Sequence, residues 1–338
     1  MTLSAVVLAC ALAAAPPEPV PSAASAGTST ALLSEARRLL DEGQAAAAIA
    51  KLGPSAGGGD ARVAQLLGVA HYHANDYLKA IEHLTAALPR LGEGSLERTE
   101  AVQVLGLSLY LAGRIADAVP YLEQTRAVAP NNADLAYVLG MAYIHTRQPD
   151  QARETWARSF KVPADSAAAH LLTARMMVRA EFDEAAEVEL KKALAKDPRL
   201  PHAHFLLGQT ALFRGRLDEA VALLRKELEL NPGDAMALYR LGDAYSRQLA
   251  WDEAIAALQR SAWLNPYYSG PYLLLGRAYL KKGQPAAAEG MLRRAIQYDP
   301  NNKAAHYLLG QLLQRAGRTD EARRELEIAE RLQDAVER

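Results

Sequence analysis

The stretch LYRLGDAYSRQ, Leu238 to Gln248, has the apolar spacing of an amphipathic helix and yet sets Gly242 at its middle. Glycine inside a helix costs about 0.8–1 kcal/mol relative to alanine, because its backbone has the most freedom to lose. The cost recurs. HFLLGQTALFR, YLLLGRAYLKK and HYLLGQLLQRA put Gly208, Gly276 and Gly310 in the same frame, each 34 residues from the next. A residue repeated at a fixed interval against its own local preference points to a packing requirement shared by every copy.

Working outward from that glycine, repeats begin at Thr99, Ala133, Ala167, Pro201, Ala235, Ser269 and Lys303 with no insertion between them. Position 7 is usually leucine, position 8 glycine and position 24 large. Alanine holds position 20 in all seven copies, from Ala118 to Ala322, and Pro130, Pro198, Pro232, Pro266 and Pro300 hold position 32. Two looser copies begin near Ser29 and Ala61, the second followed by the insert LGEGSL at 91–96. Each repeat reads as two helices. The first fills positions 2–14, a turn often containing glycine follows, and the second starts near position 17. Its opening LDEA, WDEA or TDEA places acids where the helix dipole favours them. Pro149 and Pro285 sit in the same first turn, where a missing N–H costs nothing. The closing NPGD, NPYY and DPNN stop the second helix, since proline cannot continue it.

This frame, with Gly at 8, Ala at 20 and Pro at 32, resembles the tetratricopeptide repeat family over residues 29–338, in about nine copies starting near 29, 61, 99, 133, 167, 201, 235, 269 and 303. The resemblance implies an all-α fold, a right-handed superhelical solenoid of antiparallel helix pairs. At 100° per residue, positions 4, 7, 8 and 11 share one face of the first helix, turned onto the second. Small residues at 8 and 20 let the two backbones approach, so packing outweighs the local helix penalty. The fifth repeat departs from the frame: Ala174 replaces glycine, and KVPADSAAAH replaces the usual proline turn, making 160–170 a candidate bend.

Positions 2, 5, 9, 12 and 13 point the other way, and no partner within the chain is expected for them. In tetratricopeptide repeat proteins the corresponding surface lines a concave groove that takes up peptides. Position 5 reads Gln103, Tyr137, Leu171, Phe205, Tyr239, Leu273 and Tyr307. Position 9 holds Arg175, Gln209, Asp243, Arg277 and Gln311, and position 13 holds Arg179, Phe213, Arg247, Lys281 and Arg315. From Ala167 onwards, an aromatic and aliphatic ladder beside a ladder of Arg, Gln and Lys suits an extended segment with apolar side chains and some negative charge. The family's chaperone adaptors grip a C-terminal carboxylate with Lys and Asn at positions 5, 6 and 9. Here no repeat has Asn at 6 or 9, position 5 never holds Lys, and Arg240 at position 6 is an isolated match.

No catalytic set emerges: there is no Gly-rich phosphate loop, no Ser/His/Asp arrangement and no zinc spacing. His71 and His73 are two residues apart, as are His202 and His204, a separation that points helical side chains away from each other. His170, His204 and His306 occupy position 4, where packing is expected, so no metal and no cofactor is assigned. Aromatics are only 6% of the chain, which leaves Ala and Leu to build the core. A net charge of −1 and the lack of a recurring polar code argue against nucleic acid.

The N-terminus differs from the rest. Residues 1–15 include an apolar run too short for a stable span, and 16–28 are rich in Pro, Ala and Ser. An export signal fits this pattern, with small residues for cleavage, although no Lys or Arg precedes the run. Val7-Leu8-Ala9-Cys10 partly matches a lipoprotein box, which would lipidate Cys10, the single cysteine, and an unprocessed cytoplasmic tail is the third reading. Membrane contact is expected only through this segment. The expected function is a non-catalytic scaffold that binds a protein or peptide in its groove, in a bacterial periplasm. Two alternatives are a structural subunit of an envelope or secretion assembly, and a repeat partner regulating a separate enzyme such as a glycosyltransferase.

Overall fold

The computed structural model describes residues 25–334, so the leader at 1–15 and Cys10 lie outside the described residues. The chain divides into two compact units, between Asp165 and Ser166. The first holds the hairpins α1 (Ser25–Asp41) with α2 (Ala45–Leu52), α3 (Ala61–His73) with α4 (Tyr77–Ala87), α5 (Leu96–Leu111) with α6 (Ile115–Val128), and α7 (Ala133–His145) with α8 (Pro149–Ser159). The second holds α9 (Ala167–Arg179) with α10 (Asp183–Lys196), α11 (Ala203–Phe213) with α12 (Leu217–Leu230), and α13 (Ala235–Arg247) with α14 (Trp251–Leu264). It ends with α15 (Ser269–Lys281) and α16 (Pro285–Tyr298), then α17 (Lys303–Arg315) and α18 (Thr319–Asp334). Helix α1 begins inside the segment read as a linker; no proline follows Pro21 to stop it. No strand occurs among the described residues, and no helix there is long and apolar enough to cross a membrane.

The repeated glycine faces the large residue sixteen positions on. A Cβ on Gly242 would sit 2.5 Å from Leu258 Cγ, one on Gly276 2.7 Å from Leu292, and one on Gly310 2.7 Å from Leu326. The backbone carbonyl at position 20 is also close, with Ala254 O 3.3 Å from the Gly242 site. Both Leu258 and Ala254 are fully buried. The missing methyl thus makes room first for a leucine knob and second for the facing backbone. Where alanine replaces glycine, at Ala174, the residue is still fully buried and so is its partner Leu190.

Contacts between neighbouring repeats recur in the same frame. The ring at position 4 reaches back to the carbonyl of the preceding repeat's proline: His204 Nε2 lies 3.2 Å from Pro198 O and His306 Nε2 3.0 Å from Pro300 O, while the Tyr272 hydroxyl donates to Pro266 O at 3.0 Å. His170 and His306 also pair within their hairpins, with Glu189 at 2.7 Å and Glu325 at 2.6 Å. The His170, Tyr272 and His306 rings are buried, whereas His204 is half-buried. At position 21, Glu187 accepts from Arg216 at 2.9 Å and Glu289 from Arg318 at 2.8 Å, each arginine standing at position 16 of the next repeat.

Arg216 and Lys191 hold the Glu187 carboxyl down to about 2. A depressed carboxylate stabilises the fold fully above its ordinary pKa and loses that contribution as pH falls towards the folded value. The second unit is therefore expected to lose stability between about pH 4.5 and 2. Urea midpoints across that window check it: Glu187→Gln should flatten the profile, and an unchanged slope would contradict the assignment.

The turn between the two helices needs a left-handed residue. Gly113, Gly215 and Gly283 supply it, with φ from 68° to 78°, but Leu249 occupies the same place with φ 62°. A side chain there costs roughly 1 kcal/mol or more, and Leu249 is 67% exposed, so burial does not repay it. Leu249→Gly is expected to stabilise the second unit by about 1 kcal/mol, read as a raised melting temperature. A lowered one would show that the leucine makes a contact worth more than its strain.

Candidate binding face

First helices of successive repeats pack on one another, α11 on α13, α13 on α15 and α15 on α17, in addition to their own second helices. Their side turned away from the second helices is the first-helix face of the second unit. It carries thirteen of the residues singled out from the sequence, on α9, α11, α13, α15 and α17; Tyr137 lies on α7 of the first unit and is half-buried there.

That side is less free than the helical wheel implied. Position 12 joins the core in the middle repeats: Leu212 is fully buried in one cluster with Ala244 of the next first helix and Ser246 is buried, while Gln314 in the last repeat is exposed. The packing of one first helix on the next claims that position, a contact a single wheel does not contain. Position 5 is shared, since Phe205 and Tyr239 are half-buried against the Leu241–Leu258 cluster. Asp243 and Arg247 have each other, through a bidentate pair at 3.1 and 3.0 Å. Gln311 donates to the Tyr307 hydroxyl at 2.7 Å.

Positions 9 and 13 are what the face offers. Arg175, Arg179, Arg277, Lys281 and Arg315 are exposed. Asp243 is the only acid at positions 2, 5, 9, 12 and 13 of the five helices, and Arg247 neutralises it. Phe213 is 58% exposed, and the Arg240 guanidinium lies over its ring at 5.4 Å and over the Tyr239 ring at 5.2 Å. Arg240 Nε is buried without a hydrogen-bond partner. An arginine flattened between rings is already ordered, so it meets a carboxylate at low entropic cost. Reading position 6 as an isolated match missed this; Phe213, one repeat back at position 13, was the signal. Burial and the nearby Tyr268 push the Tyr239 hydroxyl up to about 12, leaving it a donor at neutral pH.

The equivalent side of the first unit lacks free arginines among the described residues, although His73 and His145 at position 13 are exposed. Arg37 of α1 donates to both Glu100 oxygens on α5, at 2.7 and 2.6 Å, and Gln65 of α3 donates to Glu100 at 2.7 Å. Position 9 there is apolar and buried, at Val69, Leu107 and Met141. At the N-terminal end of α11, with His202 at position 2, His202, Glu227 and Asp234 have ligand atoms within 4.8 Å of one another, a grouping missed because three elements supply it.

Tandem helical hairpins with a fixed glycine–leucine seam and a polar first-helix face define a repeat scaffold. Tetratricopeptide repeat profiles match residues 109–176 and 279–336, and 177–235 and 205–268. The chain belongs to the tetratricopeptide repeat family, whose members are generally protein-interaction scaffolds without catalytic activity. Among solved structures it is similar to MamA, at 29% identity over 46% of this chain and 92% of that one, with a TM-score of 0.44. MamA of Desulfovibrio magneticus RS-1 is 23% identical over 51% of this chain and 97% of that one, with a TM-score of 0.47. YrrB, described as a TPR protein with an unusual peptide-binding site, is 20% identical over 55% of this chain and 94% of that one, with a TM-score of 0.46. No curated protein sequence matches the chain.

Proposed function

We propose that the second unit is a scaffold that binds an extended acidic segment of a partner protein along its first-helix face. The observation that carries this is the sign of that face. The chain as a whole has a net charge of −1, yet six cationic side chains face one acid at positions 9 and 13 of the five helices. Half-buried rings at position 5 and the exposed Phe213 add apolar pockets between the charges. An extended peptide presents alternate side chains to such a surface, so acidic and apolar residues in alternation match it. Selection from a random peptide library tests the reading. The bound pool should be enriched in Asp or Glu interspersed with Leu, Phe or Tyr; a pool with no acidic enrichment would overturn it.

A second reading has its own foothold. Trp263 and Tyr267, at and just beyond the end of α14, are 79% and 77% exposed, which suits contact through second helices and loops, as in a structural subunit. Cross-links concentrated there would favour it. We also propose that residues 1–15 direct export. N-terminal sequencing of the mature protein supports this if the segment is gone and opposes it if Met1 is retained.

A further inference from the structure

We propose that His202, Glu227 and Asp234 bind a divalent transition-metal ion of the zinc kind, tying the α11 and α13 repeats together. The site shares His202, at position 2, with the edge of the peptide face but does not rest on the proposed peptide binding. Glu227 stands at position 27, where the other repeats have only small residues: Ala87, Thr125, Ser159, Ala193, Ser261, Ala295 and Ala329. It is fully buried. Its oxygens accept the N–H groups of His202 at 3.0 Å and Phe205 at 3.2 Å, yet no cationic side chain pairs with it among the described residues. A buried carboxylate held by amide dipoles alone is costly, and a metal ion is one way to balance it.

The two other groups are poised in a way that capping does not explain. His202 adopts φ 64°, the only non-glycine residue at a helix N-cap with positive φ among the described residues. A strained backbone at such a point is a reason to look for a ligand. Its side chain is 56% exposed, with Nδ1 3.8 Å from Asp234 Oδ2. Asp234 commits only Oδ1 to the α13 cap, accepting from Met236 and Ala237 at 2.9 Å each. Its Oδ2 takes no hydrogen bond, although the Asp234 side chain is only 9% exposed.

An imidazole with two carboxylates selects zinc-like ions over magnesium or calcium, which prefer oxygen alone. Bonds of about 2.0–2.2 Å require the three ligand atoms to close somewhat, and the exposed His202 ring can do so by rotating. Water completes the coordination.

Calorimetric titration of the full chain with zinc chloride, paired with thermal melts, decides the matter. Two variants isolate the site without damaging the fold. His202→Gly removes the imidazole and relieves the positive φ, so the metal-free protein should melt no lower than wild type. Asp234→Asn keeps an Oδ1 acceptor for the helix cap and exchanges the free oxygen for an amide. Wild type should bind saturably with a melting temperature raised by several degrees, and each variant should lose about tenfold or more in affinity together with that rise. No saturable binding by wild type, or equal binding by all three proteins, overturns the proposal.

Discussion

Gly140→Ala is expected to be the most destabilising of the glycine-to-alanine changes at the seam, and Gly106→Ala the mildest. Two effects compete at every seam position. Alanine gains about 0.8–1 kcal/mol of helix propensity over glycine. Against this stands overpacking, typically about 1–3 kcal/mol. At Gly106 the added carbon would be 3.1 Å from Tyr121 Cβ and 3.2 Å from both the Leu122 side chain and the Leu122 backbone nitrogen, distances that a shift of α6 by a few tenths of an ångström relieves. Propensity then offsets packing, and the net change should be near zero. At Gly140 the carbon would fall 2.2 Å from Cε2 of Trp156, a rigid ring that is 2% exposed and has nowhere to turn. There packing wins, by roughly 2 kcal/mol. Urea midpoints of the two variants check the order, and equal midpoints would mean that the seam is not what the glycines serve.

A double variant sharpens the same test. Position 24 is leucine in the other repeats, including Leu122, Leu224 and Leu258. Trp156→Leu in the Gly140→Ala background should recover part of the loss, because leucine can shift where the indole cannot. The coupling between the two sites is then favourable and of the order of 1 kcal/mol. Additive losses would argue that Gly140 and Trp156 act separately.

The seam was legible in the sequence because it is periodic. Gly208, Gly242, Gly276 and Gly310 announce a shared contact, and the large residue at position 24 names the other half of it. What one helix does to the next repeat was harder to see. Position 12 looked free because a helical wheel treats one helix at a time, whereas Leu212 is buried by Ala244 in the following hairpin. Arg240 and Glu227 are single departures from the frame, and a consensus reading discounts such departures. Glu227 illustrates the physical point: one acid among eight otherwise small or hydroxylated residues at position 27 marks a place where packing was given up for something polar.

Charge reversal on the first-helix face should have the largest effect on binding. Arg175, Arg277 and Arg315 stand at positions 9 and 13, are exposed, and have no acidic side chain opposite them on that face. Replacing all three by glutamate changes the face from attraction to repulsion for an acidic segment. Like charges brought together suppress wrong partners, and rim charges govern how fast a partner arrives. The triple variant is expected to bind library-selected acidic peptides about tenfold or more weakly, about 1.4 kcal/mol or more, and to lose most of their salt dependence. The matched control places the same change on second helices, at Lys226, Arg323 and Arg324, which are also exposed. Net charge falls equally in both proteins, so a general electrostatic effect would weaken both alike. Only contact with the first-helix face predicts that the control binds within about twofold of wild type, and fluorescence anisotropy at two salt concentrations separates the outcomes. Equal loss in both variants would move the binding surface elsewhere.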